Sequence, residues 1–77
     1  MKYIITKGGD VVLFNNGLTH RDVAYSLKFL DEVESAGFVS VSDEGGVNCY
    51  GESVSLKIKS RGDADAEFVG RHLKGYY

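Results

Sequence analysis

The chain has 77 residues, of which 43% are apolar, and its nine basic and eleven acidic residues give a net charge of −2 at pH 7. This length predicts one domain with a small core. Because charges of both signs are interspersed, the composition provides no basic surface for duplex DNA, and the single cysteine, Cys49, excludes a disulfide within the chain.

The first predicted elements are two strands joined as a hairpin. Lys2–Thr6 and Val11–Asn15 are rich in β-branched and aromatic residues, and the KGGD segment between them supplies the glycines of a tight turn. The four apolar residues after Lys2 are too few for a signal peptide, and no later run approaches membrane-spanning length. We therefore expect a soluble, cytoplasmic protein with no membrane partner.

A long amphipathic helix is predicted next, from a cap at Thr19 to a stop at Gly37. Thr19 and Asp22 have the spacing of a capping box. Apolar residues then recur at intervals of three and four, which predicts one buried stripe: Val23, Leu27, Leu30 and Val33. Gly37 can adopt the left-handed conformation that ends helices.

Three strands and a short helix are predicted in the second half of the chain. Phe38–Ser42 and Ser53–Lys59 alternate apolar and polar residues, and Val47–Tyr50 lies between two turns. After Ser60, acidic residues precede basic ones in the order that complements a helix dipole. This pattern predicts a helix that continues to about Lys74 and ends at Gly75.

The element order β-β-α-β-β-β-α predicts an α+β domain. Short turns favour a mainly antiparallel, five-stranded sheet. We expect a two-layer sandwich, with both helices on one face of this sheet and the other face open to solvent.

The open face is the first candidate site. Its predicted members are one aromatic residue among lysines and polar side chains: Asn48, Tyr50, Ser55, Lys57 and Lys59. A protein partner is the leading interpretation. The alternative is a weak single-stranded nucleic-acid platform, because aromatic stacking beside cations is typical of such surfaces.

A secondary aromatic patch is predicted because five tyrosines and four phenylalanines exceed what one thin core can enclose. Its members are Tyr25, Phe29, Tyr76 and Tyr77. Such a patch would serve a protein interface. A homodimer is a further prediction, since pairing would bury the open face or a strand edge.

No constellation of residues predicts catalysis, a metal or a cofactor. Cys49, His20 and His72 have no spacing that indicates a thiol nucleophile with a base, and Cys49 alternates with Val47 on the inward side. One cysteine and two scattered histidines do not provide a metal site. We predict that the protein is not an enzyme.

Two segments, SAGFVSV and NCYGESVSLKIKSRGDAD, resemble small proteins encoded in bacteriophage and prophage genomes, and GLTHRDVA is similar to the same group's upstream segment. The resemblance carries no catalytic residue. It implies an accessory protein that acts in the bacterial cytoplasm by binding and modulating a host or phage protein. A small virion component is the remaining alternative.

Overall fold

The computed structural model describes residues 1–74, and a four-stranded antiparallel sheet lies at its centre. In the spatial order β2-β1-β3-β4, the strands are β1 (Lys2–Thr6), β2 (Val11–Phe14), β3 (Val33–Val41) and β4 (Val47–Tyr50). The remaining elements are α1 (His20–Ser26), a 3₁₀ helix (Leu30–Glu32), a small hairpin of β5 (Glu52–Ser53) and β6 (Ile58–Lys59), and α2 (Asp63–Lys74). The predicted α+β class with a mainly antiparallel sheet is confirmed.

Both faces of the sheet are covered, because the three successive β1 residues Tyr3, Ile4 and Ile5 are all buried. Tyr3 and Ile5 pack with Val69 of α2 on one face, whereas Ile4 packs with Ala24 of α1 on the other. The prediction that both helices lie on one face of the sheet is therefore wrong. A strand buried on both sides has an uninterrupted apolar run, and YII in β1 is such a run.

The long helix predicted from Thr19 to Gly37 ends after two turns. Lys28 adopts a left-handed conformation with φ of 63°. Its N–H donates to Tyr25 O, and Phe29 N–H donates to Ala24 O, which together form a Schellman motif. The motif usually has glycine at the position that Lys28 occupies, so this end was not visible in the sequence.

The last five residues of the predicted helix, 33–37, belong to β3, which also contains most of the predicted strand Phe38–Ser42. This central strand lies between β1 and β4, and small residues occupy its most crowded positions. At Gly37, an added Cβ atom would lie 2.5 Å from the backbone oxygen of Tyr50. Gly37 therefore permits close packing within the sheet and does not end a helix.

The predicted strand Ser53–Lys59 is a hairpin separate from the main sheet. Residues 54–57 form its turn, in which Leu56 N–H donates to Ser53 Oγ and Lys57 has a φ of 57°. Val54, one of the apolar residues that the alternation in Ser53–Lys59 would place on the inward side of a strand, is 81% exposed. Because a serine hydroxyl can satisfy local backbone groups, it competes with strand pairing and favours a turn here.

Other predicted boundaries agree closely with the structure. The first hairpin, the strand Val47–Tyr50 and the second helix are all present, and α2 continues to Lys74 as predicted. The predicted stop at Gly75 and two members of the aromatic patch, Tyr76 and Tyr77, lie outside the described residues. Within residues 1–74, no helix has the length and apolar character needed to cross a bilayer.

Candidate protein-binding groove

The helix α1 is fixed to the sheet by a buried histidine in its first turn. The backbone N–H of Asp22 donates to Thr19 Oγ1 at 3.1 Å, which confirms Thr19 as the cap. His20 is only 3% exposed, and its Nε2 lies 2.9 Å from the Gly37 carbonyl oxygen. Because a carbonyl only accepts, Nε2 carries the proton in this contact. His20 therefore anchors α1 and is not available as a surface base.

Burial lowers the pKa of His20, and the positive charge of Lys2 lowers it further, while the hydrogen bond to Gly37 partly opposes these effects. The ring also packs edge-on against Phe14 and Phe38, with ring centroids 5.4 and 6.1 Å away. None of these neighbours carries a negative charge that would stabilise an imidazolium ion. Protonation of His20 is consequently unfavourable in the folded protein.

We expect the free energy of unfolding to decrease as the pH falls below about 6.5, the ordinary pKa of histidine. The folded-state pKa of His20 is lower than the unfolded-state pKa, so the unfolded chain binds the proton more readily. The contribution is fully present above about pH 6.5 and is lost toward the folded-state pKa. Urea unfolding at pH 7.5 and 5.5 measures this change.

The control for this pH experiment is His20→Gln, whose side-chain amide can donate to the Gly37 oxygen but does not titrate in this range. The variant should lose less stability between the two pH values than the wild type. An equal loss in both proteins would contradict the role assigned to His20.

A groove runs along the C-terminal end of α1 and consists of two adjoining depressions. The larger has a volume of about 580 Å³. Its apolar lining comes from exposed Tyr25 and half-buried Phe29 and Leu30. Its charged lining consists of Lys28, Asp31 and Glu32, all of which are exposed. We call the two depressions together the α1 groove.

The smaller depression has a volume of about 270 Å³ and shares Ser26 with the larger one. Its lining is mainly apolar and includes Phe14, Leu18, Val23 and Leu27, with Asp22 as its charged member. The two depressions therefore lie on either side of the last turn of α1. They adjoin at Ser26, so one partner segment can contact both.

Three large apolar side chains that line this groove are exposed to solvent. Leu18 is 50% exposed, Tyr25 is 74% exposed and Leu27 is 53% exposed. Leu27 was predicted to lie on the buried stripe, but α1 ends before the stripe can continue. The early end of α1 thus leaves apolar surface uncovered.

Half of the predicted aromatic patch contributes to the α1 groove. Tyr25 and Phe29 both line its larger depression. Leu30 lines it too, but sequence reasoning placed this residue in the core because of its helical spacing. The signal that was available is the pair Tyr25 and Leu27, two large apolar residues that are only two positions apart and cannot both face one core from a helix.

The five residues predicted on an open sheet face do not form such a face. Asn48 and Tyr50 are exposed on β4, but Ser55 and Lys57 belong to the β5–β6 turn. Leu56 and Ile58 of the hairpin pack against the α1-side core and help to cover that face of the sheet. Ser55 Oγ accepts a hydrogen bond from the Arg21 backbone N–H, and Lys59 lies in β6, paired with Glu52.

Tyr50 instead belongs to a row of side chains across one end of the sheet. Phe14 pairs with Lys2, Lys2 with Phe38, and Phe38 with Tyr50. The Phe38 and Tyr50 rings stack at 5.9 Å, and Lys2 Nζ lies 5.9 Å from the Phe38 ring centroid. Lys2 Nζ also donates to Leu18 O. This row lies at one end of the sheet, next to the N-terminal cap of α1.

A buried polar cluster on the opposite face was not predicted. Asp65, with no exposed surface, accepts from Tyr3 Oη at 2.5 Å, Ser35 Oγ at 2.8 Å, Arg61 Nε at 2.7 Å and Arg61 N at 2.8 Å. The Tyr3 phenol has one proton, which it donates in the hydrogen bond to the Asp65 carboxylate. The Ser60 hydroxyl, 2.6 Å from Tyr3 Oη, is therefore the donor in the hydrogen bond between Ser60 and Tyr3.

The hydrogen bonds of this cluster determine its protonation. Burial alone would raise the pKa of Asp65, but the hydrogen bonds from Tyr3, Arg61 and Ser35 outweigh this effect and lower it. Burial, followed by the bond to Asp65, raises the pKa of Tyr3. Tyr3, Ser35 and Asp65 are fully buried, so a substrate cannot reach them. The cluster is a structural link between β1, β3 and the start of α2.

Cys49 and His20 do not form a pair of thiol and base. Cys49 packs on the α2 face of the sheet, whereas His20 lies on the α1 face. Burial, followed by the nearby Asp65 charge, raises the pKa of Cys49 to about 11, so its thiol is protonated at neutral pH. Across the described part of the chain, no group of three or more possible metal ligands comes together.

No protein-family model, curated protein or solved structure matches this chain.

Proposed function

We propose that this protein is a small accessory protein of phage type that binds a host or phage protein in the bacterial cytoplasm. The α1 groove is the observation that most strongly supports binding, because exposed Leu18, Tyr25 and Leu27 line its two depressions. The phage type is what the resemblance of the segments SAGFVSV and NCYGESVSLKIKSRGDAD implies. A concentration of exposed apolar surface rimmed by charged residues is typical of protein interaction sites. The protein acts by surface complementarity and carries out no reaction.

The charges around the groove indicate the chemistry of the partner. Among the residues that line the two depressions, Asp31 and Glu32 of the larger and Asp22 of the smaller are acidic, whereas Lys28 is basic. A partner segment with basic residues beside its apolar anchors would complement this distribution. The separation into two depressions fits a segment with two anchors, one in each.

Selection of peptides from a displayed random library tests this proposal. The probe is wild-type protein immobilised through a terminal tag, and the enriched peptides are then measured by calorimetry. We expect sequences with two aromatic or aliphatic anchors and at least one Arg or Lys. The double variant Tyr25→Ala/Leu27→Ser should weaken their binding by about tenfold or more, since central apolar contacts account for most interface free energy.

The matched control is the double variant Tyr50→Ala/Lys57→Ala, which changes two exposed residues of the face first considered. It should bind the selected peptides as tightly as the wild type. Equal loss of affinity in both double variants, or loss only in Tyr50→Ala/Lys57→Ala, would contradict the groove. Failure to enrich any peptide above the tag alone would also contradict it.

A second candidate function, single-stranded nucleic-acid binding, is supported by the half-exposed Tyr50 ring stacked on Phe38 near Lys2. The same proteins distinguish it. If a thymidine oligonucleotide bound at low salt, and Tyr50→Ala/Lys57→Ala abolished this binding, the second candidate would replace the first.

A further inference from the structure

The edge strand β2 presents backbone groups that no residue among 1–74 satisfies. Thr6 N–H donates to Asp10 O, and Lys2 pairs with Phe14, so the bonded pairs of this antiparallel ladder involve the even-numbered residues. The N–H and C=O groups of Val11 and Leu13 therefore point away from β1. They form a row of donors and acceptors at the edge of the sheet.

This edge lacks the features by which edge strands usually avoid pairing. The segment VVLF of β2 has no charge, no proline and no glycine, and all four side chains are half-buried. Charged residues, proline and bulges are the common protection against strand addition. The other edge strand, β4, contains the polar residue Asn48.

We propose that β2 pairs antiparallel with β2 of a second copy of this chain. Opposing Val11 to Leu13 of the second copy, and Leu13 to its Val11, would form on the order of four hydrogen bonds around a two-fold axis. Val12 would then face Val12 of the second copy. The result is a discrete dimer with one continuous eight-stranded sheet.

The side chains of β2 are suited to this pairing. Val11 and Leu13 pack at the margin of the α2-side core, and Val12 and Phe14 pack at the margin of the α1-side core. Pairing would therefore extend both cores across the axis and cover apolar side chains that are half-buried in one copy. The two-fold axis of this pairing is perpendicular to the sheet. Both α1 grooves would therefore lie on the same side of the dimer.

The first test is amide hydrogen exchange followed by NMR over a range of protein concentrations. In the dimer, the Val11 and Leu13 amides should become protected as the concentration rises, in parallel with the mass measured by sedimentation equilibrium. The Val47 and Cys49 amides are the internal control. They also point outward, from β4, because Ser42 N–H donates to Gly46 O in that ladder.

The second test compares Val11→Pro with Val47→Pro. Each removes one outward N–H from an edge strand, and both side chains lie at the margin of the same core. Val11→Pro should be a folded monomer, whereas Val47→Pro should remain a dimer. A wild-type monomer at all concentrations, a dimer of Val11→Pro, or open-ended aggregates would overturn the proposal. If Val11→Pro does not fold, unprotected Val11 and Leu13 amides in the wild type would still overturn it.

Discussion

Replacing Asp65 with alanine is expected to lower the free energy of unfolding by about 3–5 kcal/mol. Asp65 is fully buried and accepts hydrogen bonds from Tyr3, Ser35 and Arg61. Its removal leaves two buried hydroxyl groups without their acceptor and separates the Arg61 guanidinium from its nearest carboxylate. Each unsatisfied buried group costs about 1–3 kcal/mol.

This expected loss is large in relation to the stability of a small domain, for which about 5 kcal/mol is ordinary. Urea denaturation followed by circular dichroism measures it. The control is Asp63→Ala, which removes an exposed carboxylate from the same first turn of α2. It should cost no more than about 1 kcal/mol, the usual value of a charge at a helix terminus. Similar losses in the two variants would contradict the role of the buried cluster.

Replacing Gly37 with alanine is the second large expected effect, a loss of about 3 kcal/mol. The added Cβ would lie 2.5 Å from Tyr50 O and 3.0 Å from Ser60 Cβ. The first neighbour is backbone in the adjacent strand, so β3 and β4 would have to separate. The Gly37 carbonyl also accepts the hydrogen bond from His20, so a shift of β3 would weaken the anchor of α1.

The control for Gly37 is Gly70→Ala in α2, where the nearest atom to the added Cβ would be Val47 Cγ2 at 4.0 Å. Here the change should raise the free energy of unfolding by about 1 kcal/mol, because alanine favours the helix. Thermal unfolding measures both variants. Gly37→Ala with wild-type stability would contradict the close packing of β3 and β4.

The comparison of sequence and structure shows which local signals determine this fold. Thr19 was correctly identified as a helix cap because its hydroxyl acts on neighbouring backbone groups. The end of α1 was missed because Lys28 occupies a left-handed position at which glycine is usual. The apolar spacing that continued to Val33 was therefore interpreted as helical, although Val33 begins a strand.

The errors in residues 33–37 and in the predicted strand Ser53–Lys59 have different physical causes. Central strands with both faces covered need not alternate between apolar and polar residues, so residues 33–37 lacked the pattern that strand prediction requires. Ser53–Lys59 had that pattern, yet Ser53 uses its hydroxyl to support a turn. Tertiary packing decided in the first case and a side-chain hydrogen bond in the second.

The α1 groove and the buried Asp65 cluster were only partly predictable, because local sequence signals do not specify them. Tyr25 and Phe29 were identified from the surplus of aromatic residues, but the groove exists because α1 ends early. Asp65 was recognised only as an acidic residue near a helix start. Its role depends on Tyr3 and Ser35, which are 62 and 30 positions away in the chain, and nothing local indicates such contacts.

The most direct test of the central claim, binding through the α1 groove, is an NMR titration of isotope-labelled protein with the most enriched library peptide. We expect amide shift changes concentrated in residues 18–32, around the two depressions. The amides of residues 48–59, which include Tyr50 and Lys57, should change little. Changes concentrated in residues 48–59 instead would contradict the groove and assign the binding surface to the exposed end of β4 and the adjoining hairpin.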